Sequence, residues 1–310
     1  MSDDAPDSTI RDIADTARWV AFNRALESER PDALFHDRHA RRLAGERGAA
    51  IARRMPRAAT SAWSTIVRTC IFDEIVLRLV NRERAGAVVN LAAGLDTRPY
   101  RLALPATLRW VEVDLAPMVA YKEEALAGER PGCTVERVAL DLADRAARRQ
   151  LFARLAGLAE RVLVVSEGLL IYLPEEEVTA LAADLAAQPS FHWWLIDLRS
   201  ARLLAYLQKG WNRRLEKAGA AFRFAPQAGA DFFRPFGWQA LENRSFWAEG
   251  ERLGRRIPLG WFYRLLAWLI PRRREERLRM SSGVLLGRMQ QDALGAPGAS
   301  VCEFESTAIR

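Results

Sequence analysis

Four residues with binding chemistry each stand directly after an apolar run: Gly94, Asp114, Asp141 and Glu167. If these runs are neighbouring parallel strands, their carboxyl ends meet at one edge of a sheet, where ligands of open α/β sheets bind. The small residues around Gly94 would let a ligand approach the backbone closely. The sequence therefore predicts one binding site built from four strand ends.

The carboxylates favour a nucleoside as the ligand of this site. Asp114 follows the second run and can accept two hydrogen bonds from a ribose diol. Asp141 follows the third run and can accept a hydrogen bond from a purine amino group, while Leu142 packs on the ring. These three residues predict contacts to the ribose and the base.

The loop at residues 92–97 separates two classes of cofactor. It reads Ala-Ala-Gly-Leu-Asp-Thr, with only one of the three glycines that the GxGxxG loop of dinucleotide sites uses. Its acid, Asp96, would repel a diphosphate, whereas S-adenosylmethionine has no phosphate and carries a sulfonium and an ammonium cation. We therefore predict S-adenosylmethionine, and an NAD-linked oxidoreductase stays open as the alternative.

The elements that must position these residues follow from hydrophobic periodicity. Residues 10–80 show apolar residues at a spacing of three to four, which is typical of helices. Short apolar runs then alternate with charged stretches near 117–128, 144–159 and 174–187, which predicts a doubly wound, mostly parallel α/β sheet. The predicted strands cover residues 86–93, 108–113, 134–140, 161–166, 191–198, 238–246 and 283–289.

Several of these segments resemble the leucine carboxyl methyltransferase family. The resemblance is carried by residues 91–102 (LAAGLDTRPYRL), 112–114, 141–142 and 167–173 (EGLLIYL), in the order and spacing of that family. Residues 24–42 resemble its bacterial branch of polyketide-type O-methyltransferases. The resemblance implies a class I methyltransferase fold, with a seven-stranded sheet whose last strand is antiparallel, and an S-adenosylmethionine-dependent O-methyltransferase activity.

The resemblance also implies roles for single residues. Arg68 would pair with the methionine carboxylate of the cofactor, a task that suits a guanidinium. Gly94 would let the backbone approach the methionine part, and Glu167 would lie near its amino acid end. Asp114 would hold the ribose, and Asp141 with Leu142 would hold the adenine. Many relatives have Gly where this chain has Ala92, and the extra methyl group of Ala92 narrows the loop.

The acceptor of the methyl group is expected to be a small molecule. A carboxylate acceptor is already a nucleophile and needs no base, whereas a hydroxyl needs one. No residue stands out as that base. Tyr172 lies just after the fourth apolar run and is the candidate for orienting the acceptor.

The domain organisation is predicted from the same change of pattern. Residues 1–80 form a helical N-terminal cap that acts as a lid and excludes water. Residues 81–295 form the methyltransferase domain, with a helical insertion near 200–236. Residues 296–310 form a C-terminal tail.

Composition sets the remaining expectations. The chain has 50% hydrophobic and 27% charged residues, as ordinary soluble proteins do. Its three cysteines are widely spaced and no secretory signal pattern is seen, so we expect a cytoplasmic protein. His36 and His39 have no clear third ligand, and we predict no metal site.

The net charge of +7 comes largely from residues 251–280, which contain nine arginines and three glutamates. The apolar segment 257–274 within it ends in three arginines and has the character of an interfacial helix. A solvated helix covering the sheet is the favoured interpretation, and no nucleic-acid partner is expected. A non-catalytic methyltransferase fold that binds a partner or a membrane is the second alternative, and the oligomeric state stays open.

Overall fold

The computed structural model describes residues 13–54, 58–201, 204, 221–256 and 282–289. Three helices come first in the chain. They are α1 (Ile13–Ser28), α2 (Ala40–Arg54) and α3 (Ala58–Asn81). Of the insertion near 200–236, residues 200, 201, 204 and 221–236 are described, and the segment 257–274 lies outside the described residues.

Seven strands of the described chain form one sheet. They are β1 (Ala87–Leu91), β2 (Arg109–Asp114), β3 (Thr134–Ala139), β4 (Val162–Ser166), β5 (Phe191–Leu198), β6 (Trp238–Ser245) and β7 (Gly283–Met289). The strand order is β3-β2-β1-β4-β5-β7-β6. The pairs among β1 to β5 are parallel, and β7 is antiparallel to both of its neighbours. The predicted doubly wound sheet with an antiparallel last strand is confirmed.

Helices connect the strands on both faces of the sheet. They are α4 (Arg98–Arg101), α5 (Ala116–Ala125), α6 (Arg145–Ala156), α7 (Glu175–Ala186) and α8 (Phe246–Arg252). Local sequence explains where they begin. The Asp144 carboxylate caps α6 by accepting hydrogen bonds from the backbone nitrogens of Ala146 and Ala147. α7 follows Pro174 and opens with three glutamates, which complement the helix dipole.

The sheet separates two hydrophobic clusters. β1 and β4 are buried along their whole length because helices cover both faces, and this is why they read as continuous apolar runs. On one face, α6 and α7 pack through Phe152 and Leu181. On the other face, α3 packs through Ile71 and Ile75.

The first two helices belong to a third cluster. Trp19 and Phe22 of α1 and Leu43 of α2 pack against Leu95, in the loop after β1, and Met118 of α5. The N-terminal helices α1 and α2 therefore lie over the loop that follows the first strand. The division of the chain into a cap ending at residue 80 and a domain beginning at 81 stays a prediction.

The helical pattern predicted for residues 10–80 is interrupted between α1 and α2. Residues 29–39 are turns and loop, and they contain both His36 and His39. Asp37 stabilises this loop by accepting hydrogen bonds from the backbone of His39 and from the side chains of Arg24 and Thr97. The prediction of a helical pattern is therefore wrong for these two histidines, and the His39 side chain is buried.

No helix in the described ranges is both long and apolar enough to pass through a bilayer.

Candidate functional site

A cavity of about 550 Å³ lies at the carboxyl ends of the central strands. Its wall comes from residues at the ends of β1, β2, β3, β4 and β5, and from α1 and α3. The seven residues that the sequence singles out all line it: Arg68, Gly94, Asp114, Asp141, Leu142, Glu167 and Tyr172. The structure brings the predicted site residues together, and their roles stay predictions.

The loop after β1 turns through two residues with left-handed backbone. Gly94 has a φ of 49°, a conformation that glycine adopts without strain, and Ala92 has a φ of 52°. A Cβ atom at Gly94 would lie 3.5 Å from the Cβ of Ala17 in α1. The turn therefore brings the backbone close to the helix that covers the cavity, and Ala92 holds a strained position in it.

The carboxylate of Asp114 links the first two strand ends. Its Oδ2 atom accepts a hydrogen bond of 2.6 Å from the Gly94 backbone nitrogen, and Oδ1 accepts one of 2.8 Å from that of Leu115. Burial raises the pKa of this carboxyl, and the two N–H donors oppose that rise. Asp114 is thus fixed in orientation, with the rest of its acceptor capacity at the cavity wall.

The third strand end is more open to solvent. Asp141 is exposed and accepts a hydrogen bond of 2.9 Å from the backbone nitrogen of Ala143. Leu142 is half-buried and packs against the cluster that contains α6. An acidic acceptor and an apolar side chain thus lie side by side, as an adenine contact would require.

Glu167 lies between two arginines at the fourth strand end. Its Oε1 atom is 2.8 Å from Nε of Arg68, and its Oε2 atom is 2.8 Å from Nη1 of Arg98. The structure therefore commits Glu167 to ion pairs, and Arg68 pairs with it across 99 residues of sequence. Its second partner is Asp197, whereas Asp73 and Glu74 of its own helix pair with other arginines.

Asp96, the acid that argues against a diphosphate ligand, is a structural residue of the loop. It accepts hydrogen bonds from the Asn90 amide at 2.8 Å and from the Arg98 guanidinium at 3.0 Å. Burial raises the pKa of this carboxyl, but Arg98, Lys122 and Arg101 outweigh that effect and hold the pKa well below its usual range. Asp96 is therefore ionised and paired at neutral pH.

Tyr172 stands where the chain leaves the fourth strand end, in a single 3-10 turn over Leu170–Tyr172. Its ring lies against that of Phe222, with 5.6 Å between the ring centroids. Burial raises the pKa of the phenol, and the charge of Arg68 opposes this. The hydroxyl is therefore protonated at neutral pH and can donate a hydrogen bond into the cavity.

Asp197 and Arg199 also line the cavity, and the sequence interpretation missed both of them. Asp197 accepts hydrogen bonds from the Gly168 backbone nitrogen at 2.6 Å and from Arg68 Nη1 at 3.1 Å. Both residues lie at the end of β5, so the rule of strand ends would have found them if it had been applied to the fifth run.

The N-terminal helices are fastened to the loop after β1 by buried hydrogen bonds. Arg24 of α1 donates to the Asp37 carboxylate at 2.9 Å and to the carbonyl oxygen of Leu95 at 2.5 Å. Thr97 donates to the same carboxylate at 2.6 Å. Helix α1 and the loop at residues 92–97 are therefore held as one unit over the cavity.

The chain has relatives with similar sequences. The sequence model of the leucine carboxyl methyltransferase family matches residues 17–186. A "Putative S-adenosyl-L-methionine-dependent methyltransferase" of Streptomyces avermitilis is 36% identical over 191 residues, which are 56% of this chain and 64% of that protein. The chain thus spans just under two thirds of the length of this relative. A protein of the same description from Mycolicibacterium smegmatis is 32% identical over 265 residues, which are 75% of this chain and 85% of that protein.

Solved structures share the fold. A DUF574 family protein from Streptomyces avermitilis aligns with a TM-score of 0.57 at 15% identity, over 89% of this chain and 97% of that chain. A "putative methyltransferase" from Thermobifida fusca YX also aligns with a TM-score of 0.57 at 15% identity, over 92% of this chain and 97% of that chain. These likenesses, together with the strand order, show the class I methyltransferase fold. Because the family model covers more than half of the sequence, the chain belongs to the leucine carboxyl methyltransferase family.

Proposed function

We propose that this protein is an S-adenosylmethionine-dependent O-methyltransferase that acts on a small molecule. The observation that supports this most is that Gly94, Asp114, Asp141 and Glu167, from four different strand ends, line one cavity. The three acids can accept hydrogen bonds from the cofactor, and Gly94 lets it approach the backbone.

The cofactor is S-adenosylmethionine, for which the relatives of this chain are named. Asp114 would hold the ribose diol, and Asp141 with Leu142 would hold the adenine. Arg68 would bind the methionine carboxylate, and Glu167 would face the ammonium group. The cavity wall carries acids and arginines close together, which suits a ligand with charges of both signs.

When bound, S-adenosylmethionine supplies a methyl group on a positively charged sulfur. The acceptor oxygen would form a bond to the methyl carbon, in line with the carbon–sulfur bond that breaks, and the electron pair of that bond would stay on sulfur. The chain contributes positioning and exclusion of water. α1 covers the cavity and is tied to the loop at residues 92–97 through Arg24. Tyr172 and Phe222 contribute to the wall of the same cavity.

The two kinds of acceptor oxygen make different demands on the chain. A carboxylate becomes a methyl ester without losing a proton, so no general base is required. A hydroxyl must release its proton to a base. Tyr172 is a poor base for this proton, because its pKa is raised and its phenol is already protonated at neutral pH. Tyr172 is therefore better suited to orient the acceptor by donating a hydrogen bond.

Calorimetric titration tests the proposal. We expect the purified protein to bind S-adenosylmethionine and S-adenosylhomocysteine but not NAD. Binding of NAD alone would support the oxidoreductase alternative, and binding of neither sulfur ligand would overturn the main proposal. With a panel of carboxylic acids, phenols and alcohols, mass spectrometry should then detect a methylated product that is absent when S-adenosylmethionine is omitted.

A further inference from the structure

Arg199 differs from the other arginines of the cavity in how its charge is balanced. Four cavity arginines each have a carboxylate oxygen at 2.5–2.9 Å: Arg24, Arg68, Arg98 and Arg101. Arg199 has its nearest carboxylate, that of Asp197, at 3.7 Å. In the part of the chain that the structure describes, no hydrogen bond joins the Arg199 guanidinium to a protein atom.

The carboxylate nearest to Arg199 is already engaged by other donors. Asp197 Oδ2 accepts from Arg68 at 3.1 Å, and Oδ1 accepts from the Gly168 backbone nitrogen at 2.6 Å. A Cβ atom at Gly168, whose φ is 69°, would lie 3.3 Å from Arg68 Nη1, so this arrangement is closely packed. Arg68 and Arg199 therefore share one carboxylate, and Arg68 has the better geometry.

The guanidinium of Arg199 is held in place without being neutralised. Its Cζ atom lies 4.7 Å from the ring centroid of Phe246, a cation–π distance. The side chain is only 15% exposed. Burial lowers the pKa of Arg199, Asp197 opposes this and Arg68 adds to it. A guanidinium still stays charged at neutral pH, so the cavity wall carries a cation whose donors lack close acceptors.

Sheet topology places this cation at the far end of the cavity from the predicted adenine and ribose contacts. The strand order around the site is β3-β2-β1-β4-β5. The residues predicted to hold adenine and ribose follow β3 and β2, whereas Arg199 follows β5 at the opposite end of this series. A cofactor that extends from β3 to Glu167, after β4, would leave the side near Arg199, Tyr172 and Trp63 to the acceptor.

We propose that Arg199 is the specificity-determining residue for the acceptor, and that it binds the carboxylate of an acidic small molecule. The inference rests on the proposed function and narrows its substrate class. A planar guanidinium pairs with both oxygens of a carboxylate, and the Tyr172 hydroxyl can donate a further hydrogen bond. Trp63 and Phe222, which also line the cavity, give the acid an apolar environment for its body.

The test compares matched ligands in the presence of saturating S-adenosylhomocysteine. The probes are octanoate and phenylacetate, with octanamide and phenylacetamide as their uncharged counterparts. We expect the wild-type protein to bind the acids at least about tenfold more tightly than the amides, since hydrogen bonds to a charged group add that much. Equal binding of acids and amides, or no binding of either acid, would overturn the proposal.

Two variants assign the effect to the residue. Arg199→Gln should weaken acid binding by about 10- to 100-fold while leaving the affinity for S-adenosylhomocysteine within about twofold. Arg199→Lys keeps the charge and should retain part of the preference for acids. Arg145→Gln, at an exposed arginine that pairs with Glu177 outside the cavity, is the matched control and should change neither.

The outcomes separate this inference from the proposed function. If the wild-type protein does not bind S-adenosylhomocysteine, the proposed cofactor is wrong. If it binds S-adenosylhomocysteine and Arg199→Gln still prefers acids as strongly as the wild type, the role of Arg199 is wrong and the proposed function stands. A loss of S-adenosylhomocysteine binding equal to the loss of acid binding in Arg199→Gln would likewise contradict an acceptor role.

Discussion

The Oδ2 atom of Asp114 lies 2.6 Å from the backbone nitrogen of Gly94, 20 residues earlier in the chain. These two residues end different strands, and the sequence assigns them to different parts of the cofactor. Their hydrogen bond means that the Asp114 carboxylate also fixes the loop that is predicted to face the methionine part. The side chain is therefore oriented before a ligand arrives.

Replacing Asp114 with Ala should weaken binding of S-adenosylhomocysteine by about 10- to 100-fold, because hydrogen bonds to a charged carboxylate are lost and the Gly94 amide loses its acceptor. Asp114→Asn should cause a smaller loss, since it keeps an acceptor oxygen. The affinities are measured by calorimetric titration.

Asp144→Ala is the matched control for this measurement. Asp144 caps α6 and does not line the cavity. The substitution should lower the free energy of unfolding by about 1 kcal/mol without changing the affinity. An Asp114→Ala variant that binds as tightly as the wild type would refute the ribose role.

Much of the site could be predicted because its residues follow strands that are buried on both faces. β1 and β4 read as apolar runs, so the positions of Gly94 and Glu167 follow from local pattern. The shared cavity follows from the parallel order of the strands, since their carboxyl ends meet. The sequence thus indicated where the cavity walls begin.

The ion pairs could not be predicted from the sequence. Arg68 has two acids, Asp73 and Glu74, close to it in the sequence, yet it pairs with Glu167 and Asp197, 99 and 129 residues away. The packing of α3 on the sheet decides which acids it meets, and no local pattern encodes that packing. The loop at residues 29–39 was missed for a related reason, because it is stabilised by Arg24 and Thr97, which lie outside it.

Ala92 should be replaceable by glycine with a gain in stability. Its φ of 52° lies in the left-handed region, which costs a residue with a Cβ atom about 1 kcal/mol. Glycine relieves this strain, although its freer unfolded chain offsets part of the gain. We expect Ala92→Gly to raise the free energy of unfolding by up to about 0.5 kcal/mol, measured by urea denaturation.

The neighbouring residue provides the control for Ala92. Ala93 is buried and does not have positive φ, so Ala93→Gly should lower the free energy of unfolding by about 1 kcal/mol. Opposite signs for two adjacent Ala-to-Gly changes would follow from backbone conformation alone. A loss of stability in Ala92→Gly equal to that in Ala93→Gly would contradict the strain.

Arg24 should couple the N-terminal helices to cofactor binding. Arg24→Gln leaves the buried Asp37 without its charged partner and removes the bond to the Leu95 carbonyl. We expect a loss of about 3 kcal/mol in the free energy of unfolding and faster proteolysis within α1, together with weaker binding of S-adenosylhomocysteine. Limited proteolysis with and without that ligand measures the coupling.

Arg41→Gln tests whether any arginine of this region would give the same result. Arg41 pairs with Glu29 at 2.5 Å, but both side chains are about half exposed. Such a surface pair contributes about 0–1 kcal/mol, so neither proteolysis nor binding should change. If the protease cleaves Arg24→Gln and wild type at the same rate, the N-terminal helices are not held by this contact.

The stability of the loop after β1 should depend on pH through Asp96. The pKa of Asp96 is lowered on folding from a reference value of 3.8. A carboxyl with a lowered folded pKa contributes its full stability above the unfolded pKa and loses it as pH falls below that value. Asp96→Asn removes a buried charge that pairs with Arg98, and we expect it to lower the free energy of unfolding by about 3 kcal/mol at neutral pH.

Urea denaturation of wild type and Asp96→Asn from about pH 8 to about pH 3 measures this effect. The difference in the free energy of unfolding should be constant above about pH 5 and shrink below about pH 4. Asp231→Asn, at an exposed carboxylate paired with Arg234, should differ from the wild type by less than about 0.5 kcal/mol at every pH. A difference for Asp96→Asn that grows on acidification would mean that its carboxyl is protonated in the folded protein, and the pairing with Arg98 would then be wrong.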